Sequence, residues 1–237
     1  MNVEEKIIKL CAKSRYDFED LCDVMIILRS EQGCPWDREQ DHHSIRSSLI
    51  EETYEVIEAI DTDDPVLLQE ELGDLLFQVV FHAALEQEKN VFDMGDVIHD
   101  ITAKMIHRHP HVFSTVTVAN STEVLSNWEK IKTEEKQRNT LSVRLRAIPP
   151  MLPALMRASK VGKKAEIFAN ASNADILAEL GRQIEGMQQA SDEITQEQIG
   201  KLLMGVTCLA RKANVDAEEA LSKTVDTIID DIAAKEC

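Results

Sequence analysis

Leu49-Ile-Glu-Glu-Thr-Tyr-Glu-Val-Ile-Glu-Ala-Ile-Asp-Thr-Asp-Asp-Pro-Val-Leu-Leu-Gln-Glu-Glu-Leu-Gly-Asp-Leu-Leu76 is the stretch that decides the fold of this chain. Leu49, Thr53, Val56, Ile57 and Ile60 recur at helical spacing, which predicts a helix from Ser44 to Ile60. Asp61-Thr-Asp-Asp-Pro65 interrupts it. Asp64 suits an N-cap, because its carboxylate accepts from free backbone N–H groups. Pro65 suits the first helical position, where no N–H is needed. A second helix then runs from Pro65 to about Glu88. Leu68, Leu72, Leu75, Leu76, Val79, Val80 and Ala83 give it a wide apolar stripe, expected to be buried among several helices. So short a connection makes the two helices antiparallel neighbours.

Outward from this pair the pattern stays helical. Phe18 to Arg29 places Leu21, Met25 and Leu28 on one stripe. Glu31-Gln-Gly-Cys-Pro-Trp-Asp37 reads as a turn, with Gly33 and Pro35 interrupting any regular element. Asp93 opens a helix to about His107, which Pro110 ends. Residues 112–120 read as irregular. Ser121 starts a further helix with Val124, Leu125, Trp128 and Ile131, and Lys130 to Arg138 is charged and expected to be exposed. Three of the six prolines fall between Pro149 and Pro153. They set an expected boundary between a first domain, 1–145, and a second, 146–237, helical from about Leu155 to Lys235. The composition agrees: 43% hydrophobic but only 4% aromatic, with few glycines and prolines, favours helices packed on aliphatic side chains.

The second half reads as a worn copy of the first. A shift of 127 lays Glu70-Glu-Leu-Gly-Asp-Leu-Leu76 on Glu197-Gln-Ile-Gly-Lys-Leu-Leu203, Leu49-Ile50 on Ile176-Leu177 and Ile57 on Ile184. A shift of 123 lays Asp93 on Asp216 and Met105-Ile106 on Ile228-Ile229. Apolar positions match and polar ones differ. The expected fold class is all-α, with duplicated antiparallel helical-bundle units.

A net charge of −17 repels nucleic acid and anionic lipid, so neither is an expected partner. Five scattered cysteines without a CxxC pair fit a reducing, cytoplasmic setting. Met1 to Leu10 is acidic and lacks the apolar run of a signal peptide, and no stretch of 18 apolar residues would span a membrane.

Chemistry enters with the acids. Glu52 and Glu55 are three apart on one helix face, and Glu51 and Glu55 four apart. Glu71 and Asp74 repeat the three-residue spacing on the next helix, so two pairs can face each other. Four carboxylates at close range stay ionised together only around a cation. An all-oxygen set suits magnesium or manganese over zinc. Acids at this spacing are also common on solvated helix faces, but Glu71 and Asp74 sit in an apolar run where charge is hard to expose. Lys104 and Arg108, four apart beside His107, His109 and His111, form a cationic patch in an acidic chain. They suit phosphate oxygens, although basic residues also answer a helix C-terminal dipole. The three histidines raise zinc as a weaker alternative. Trp36 and Trp128 could stack on a base, although each has a packing role to fill first.

These residues carry a resemblance. Gly33-Cys-Pro-Trp-Asp37, Glu51-Glu-Thr-Tyr-Glu55, Glu71-Leu-Gly-Asp74, Arg108-His-Pro-His-Val-Phe113 and Trp128-Glu-Lys-Ile-Lys132 resemble the MazG family of nucleoside triphosphate pyrophosphohydrolases, in the all-α NTP pyrophosphatase group. The resemblance is dense from about 20 to 137 and weaker beyond. It implies Glu52, Glu55, Glu71 and Asp74 as metal ligands, Lys104 and Arg108 on substrate phosphates, and Mg2+ as cofactor, with Mn2+ able to replace it. It implies hydrolysis of NTP or dNTP to the monophosphate and pyrophosphate at the α–β linkage, and a homodimer. Glu51 is a base for the water or a further ligand; the sequence leaves both roles open. Two rivals stand beside this expectation: a non-catalytic nucleotide-binding or dimeric interaction module, and a hydrolase of damaged nucleotides. In the copy, Glu52 corresponds to Glu179, but Glu55, Glu71 and Asp74 correspond to Arg182, Gln198 and Lys201. Lys104 and Arg108 correspond to Thr227 and Asp231. The second unit is therefore expected to hold no catalytic metal and to serve packing or dimerisation.

Overall fold

The computed structural model describes residues 2–135, 140–189 and 194–236, which contain helices and no strand. The chain is all-α, as its periodicity predicts. It divides into two compact units between Ser121 and Thr122, whereas the composition break in the sequence comes later, at Pro149–Pro153.

The first unit holds α1 (Val3–Cys11), α2 (Phe18–Arg29), α3 (Pro35–Glu39), α4 (Arg46–Asp61), α5 (Pro65–Glu88), α6 (Met94–Arg108) and α7 (Pro110–Phe113). The α4–α5 turn closes by local hydrogen bonding. Asp63 takes a left-handed conformation (φ 53°), and the N–H groups of Asp63 and Asp64 donate back to the carbonyls of Ile60 and Ala59, at 3.2 and 3.1 Å. This is a Schellman ending with aspartate where glycine is usual. One residue on, the Asp64 carboxylate accepts from the N–H groups of Val66 and Leu67, at 2.9 and 3.1 Å, and starts α5. One helix therefore stops and the next starts within three residues, and α4 packs along α5.

The core lies along the C-terminal half of α5, beyond the acids. Met25, Ile45, Val80, Phe81, Ala84 and Leu85 are buried together, with Phe18, Leu21, Cys22, Phe77 and Met94 against them. Phe77 meets Phe81 edge-on at 6.0 Å. Arg29, at the end of α2, stacks its guanidinium 5.3 Å from the centre of the Phe81 ring and pairs with Glu88 at 2.5 Å. It also donates to the Asp37 carbonyl, so one side chain joins the ends of α2, α3 and α5.

Three expectations change. The turn expected over 31–37 ends at Cys34, because Pro35 takes the first position of the short helix α3 and carries Asp37 into a buried place. Pro110 does not simply end α6; it begins α7 after the kink at His109. The apolar stripe of α5 is split. Val80 and Ala83 are buried, but Leu72, Leu76 and Val79 remain 49%, 38% and 36% exposed, because neighbouring helices cover only part of so wide a face. The expected exposed run from Lys130 to Arg138 lies partly outside the described residues.

The second unit holds nearly all of α8 (Ser121–Glu135), then α9 (Leu141–Arg146), α10 (Ala154–Lys164), α11 (Asn173–Gln189), α12 (Gln196–Lys212) and α13 (Ala217–Glu236). Moving α4 by 127 lands it on α11, and moving the start of α6 by 123 lands it on the start of α13. The order α4–α5–α6 recurs as α11–α12–α13, so the repeat read from sequence is a repeat of helices. Ile176, Leu180, Thr207 and Cys208 are buried at the centre of this unit.

Gly33 is held where no side chain fits. Its N–H donates to the Ser30 carbonyl at 2.9 Å, and a Cβ on it would overlap the Ile27 and Leu28 carbonyls. Backbone cannot move aside as a side-chain end can. Gly33→Ala is therefore expected to destabilise the protein by about 2–3 kcal/mol, measured by urea unfolding. A loss below about 0.5 kcal/mol would contradict this packing.

Candidate active site

The antiparallel α4–α5 pair places acids opposite acids. Glu52 and Glu55 project from α4, and Glu71 projects from α5. One carboxylate oxygen from each lies within 4.8 Å of the other two. Among the described residues, this is the grouping of three metal-ligating side chains that converges. Glu71 is only 8% exposed, Glu52 is half-buried and Glu55 is exposed at the rim. Asp74, one turn along α5, is exposed and close enough to act on both buried acids.

The electrostatics show strain. Burial first, then Asp74 and Glu55, push the Glu52 carboxyl above its usual range. Burial first, then Glu55, Glu70, Asp74 and Glu52, do the same to Glu71. No cationic partner appears among the main influences on either group. Carboxylates in such a place protonate or hold a cation. The donors are all hard oxygens, which fits magnesium or manganese. Gln78, one further turn along α5, adds a buried amide whose Oε1 has no partner. The cluster therefore fits a hydrated divalent ion.

The other expected residues are placed differently. Glu51 is exposed on α4, next to Glu52 in sequence but outside the converging set. Lys104 is exposed on α6, and Arg108, four residues on, is buried at 6%. The Nδ1 of His109 is hydrogen-bonded to the Met105 carbonyl at 2.6 Å, so His107, His109 and His111 do not converge as a zinc set. Trp36, on α3 of the first unit, is 61% exposed. Trp128 is half-buried on α8, with the Lys132 ammonium 4.8 Å from its ring centre. Gln78 was absent from the expected site. Its spacing, four from Asp74 and seven from Glu71, marks it as a residue of the same face, but an uncharged side chain in an apolar run carries no sequence signal of chemistry.

Comparison with known proteins supplies the family. The model of the MazG nucleotide pyrophosphohydrolase domain matches residues 40–113, which hold both acidic pairs, Lys104 and Arg108. The chain is 38% identical over 216 residues to the nucleoside triphosphate pyrophosphohydrolase/pyrophosphatase MazG of Thermotoga maritima, covering 90% of this chain and 83% of that protein. It is 41% identical over 217 residues to the nucleoside triphosphate pyrophosphohydrolase of Escherichia coli, covering 86% and 81%. This chain belongs to the MazG family of nucleoside triphosphate pyrophosphohydrolases. It is thereby a hydrolase of the class acting on phosphoric anhydrides. A crystal structure of a MazG-related protein from Thermotoga maritima aligns with 48% of the chain and 98% of its own, at 29% identity and a TM-score of 0.42.

Within this MazG chain the two units treat the same positions in opposite ways. Glu179, at the place of Glu52, pairs with Arg182 at 2.6 Å. Lys201, at the place of Asp74, pairs with Glu197 at 2.6 Å. Gln183 first, then Arg182, hold Glu179 below the usual carboxylate range, the reverse of Glu52. The second unit neutralises its acid with its own cations, whereas the first leaves charge for something else to balance.

The raised carboxyls make the metal-free protein sensitive to pH. A folded-state value above the ordinary 4.5 means that stability is full below about 4.5 and falls as pH rises through the raised value. Metal-free Glu71→Gln is therefore expected to melt a few degrees (~2–5 °C) above wild type at pH 7.5 and to lose that advantage by pH 4. Adding Mg2+ or Mn2+ should raise the wild-type Tm and raise that of Glu71→Gln much less. Equal responses in both proteins would remove Glu71 from the cation site.

Proposed function

We propose that the first unit hydrolyses nucleoside triphosphates, NTP or dNTP, to the monophosphate and pyrophosphate with Mg2+ held by Glu52, Glu55, Glu71 and Asp74. The observation that carries this reading is the convergence of Glu52, Glu55 and Glu71, without a cationic side chain among their main influences, in a chain of the MazG family. Bound there, the ion would neutralise phosphate charge and lower the pKa of a water. The chain's own residues do the remaining work. The carboxylates fix the ion's place and supply no proton donor to compete with water. Lys104 and Arg108 hold phosphate oxygens, the first as a point charge and the second as a fork. The water oxygen joins the α-phosphorus, the bond to the α–β bridging oxygen breaks, and pyrophosphate leaves with that oxygen. Glu51 takes the water's proton or adds a ligand. Trp36, on the first unit, is proposed to stack on the base, so Trp36→Ala should remove the base selectivity that the substrate panel below reads.

The protein is proposed to act as a homodimer in the cytoplasm, clearing the nucleotide pool. The dimer draws support from the apolar residues left exposed on the catalytic pair: Ile50, Tyr54 and Ile57 on α4, and Leu72, Leu76 and Val79 on α5. Such a face is larger than an isolated exposed leucine and suits a second copy. No helix among the described residues is long and apolar enough to cross a membrane.

The test is pyrophosphate release from a panel of NTPs, dNTPs and oxidised nucleotides with Mg2+, run beside sedimentation of the protein. Release from at least one substrate is expected, from a particle of twice the chain mass. Glu71→Gln and Asp74→Asn should each lower kcat/KM by about a thousandfold, since several kcal/mol of charge stabilisation leave with the ion. Lys201→Asp should leave turnover unchanged. Nucleotide binding without release from any substrate would favour the non-catalytic module instead.

A further inference from the structure

We propose that Gln78 is a positioning residue of the carboxylate site, donating through its side-chain NH2 to Glu52 and accepting through its buried Oε1 from a water at the bound cation. This rests on the cation reading above but adds a fifth side chain that is neither acid nor ligand. Gln78 follows Asp74 by four residues and Glu71 by seven on α5, so all three share one helix face. It is 8% exposed, and its Oε1 is enclosed without a hydrogen-bond partner. Its side chain reaches Glu52 across the helix pair. A carboxamide placed so can face a carboxylate only with its NH2, which turns the carbonyl oxygen away from Glu52. A buried acceptor of this kind calls for a donor, and no protein group in the structure supplies one. A cation-bound water is a strong donor and fits that need, because magnesium keeps most of its waters.

The next turn of the same face supports the same assignment. His82, four residues after Gln78, also keeps a buried ring nitrogen, Nε2, without a partner. Its Nδ1 lies 2.8 Å from Nδ1 of His42, whose Nε2 lies 2.6 Å from Glu86 Oε1. With both rings neutral, Glu86 accepts from His42 Nε2–H and His42 Nδ1 accepts from His82 Nδ1–H, which leaves His82 Nε2 an acceptor. Two unmet buried acceptors thus follow each other on the face that carries Glu71 and Asp74. The row of acids, amide and imidazole therefore continues along one face of α5.

The experiment compares Gln78→Met, close in size but without polar atoms, and Gln78→Glu, close in shape but charged, with wild type and Glu71→Gln. Mn2+ affinity is read by electron paramagnetic resonance, Tm with and without Mn2+, and kcat and KM by pyrophosphate release. Gln78→Met is expected to weaken Mn2+ binding and to lower kcat by about 10–100-fold each, with KM little changed. Gln78→Glu replaces a donor to Glu52 by another repelling carboxylate, so its metal-free Tm should fall and Mn2+ should restore most of the loss. A merely structural glutamine predicts a Tm loss that Mn2+ does not restore. The inference is overturned if Glu71→Gln abolishes Mn2+ binding while Gln78→Met stays within twofold of wild type, or if Mn2+ fails to rescue Gln78→Glu. If wild type itself neither binds Mn2+ nor releases pyrophosphate, the cation reading falls, and this assignment with it.

Discussion

The packing of α4 along α5 is the constraint on which everything else in the first unit depends. It is set by the three residues between them, where Asp63 reverses the chain and Asp64 starts the next helix. Because the turn is so short, each position on α4 faces a definite position on α5. Glu55 then meets Glu71, and Glu52 lies within reach of Asp74 and Gln78. A longer loop would let one helix slide or rotate past the other, and the acids would separate. The hydrophobic core along the C-terminal half of α5 resists that slide, since Val80, Phe81, Ala84 and Leu85 are packed against α2 and Ile45.

The arrangement sets stability against function within one helix. Its C-terminal half buries aliphatic and aromatic surface, while its N-terminal half gathers carboxylates whose charges oppose one another. The second unit shows the same scaffold without that conflict. There Arg182 and Lys201 stand at former acid positions and pair with Glu179 and Glu197, so the polar face is balanced by its own side chains. The contrast gives the acidic knot its meaning. Acids that merely coated a solvated helix would gain nothing from convergence or burial, and Glu71 has both. The overall charge of −17 makes the same point for an anionic substrate, which enters such a field only where a cation is held.

Much of this was legible before any coordinate. The bounds of α2 follow from periodicity, and those of α5 from periodicity with Asp64 and Pro65 at its start. The duplication was visible because burial preserves apolar spacing after polar positions have drifted. What misled was the wide stripe of α5. Its length and apolarity imply enclosure, but Leu72, Leu76 and Val79 remain exposed on the unit. Periodicity reports that a face is apolar and says nothing of what covers it. Pro35 misled in a related way. Read as a break, it proves to be the first residue of a short helix, where its missing N–H costs nothing; Pro110 ends α6 as expected and also begins α7.

By itself, the sequence determined the long helices α2, α4, α5 and α6, the cap at Asp64, the short α4–α5 connection and the three-residue spacing of each acidic pair. These are local matters, decided by backbone geometry within a few residues. The tertiary structure alone decided which acids converge: Glu52, Glu55 and Glu71 at the centre, Asp74 at the edge and Glu51 outside. It alone exposed Lys104, buried Arg108 and left Gln78 with an unmet oxygen beside the cluster. The reason is rotational. Spacing fixes which side chains share a face, but the direction of that face is set by packing against the other helices, and burial, charge and chemistry follow from that direction.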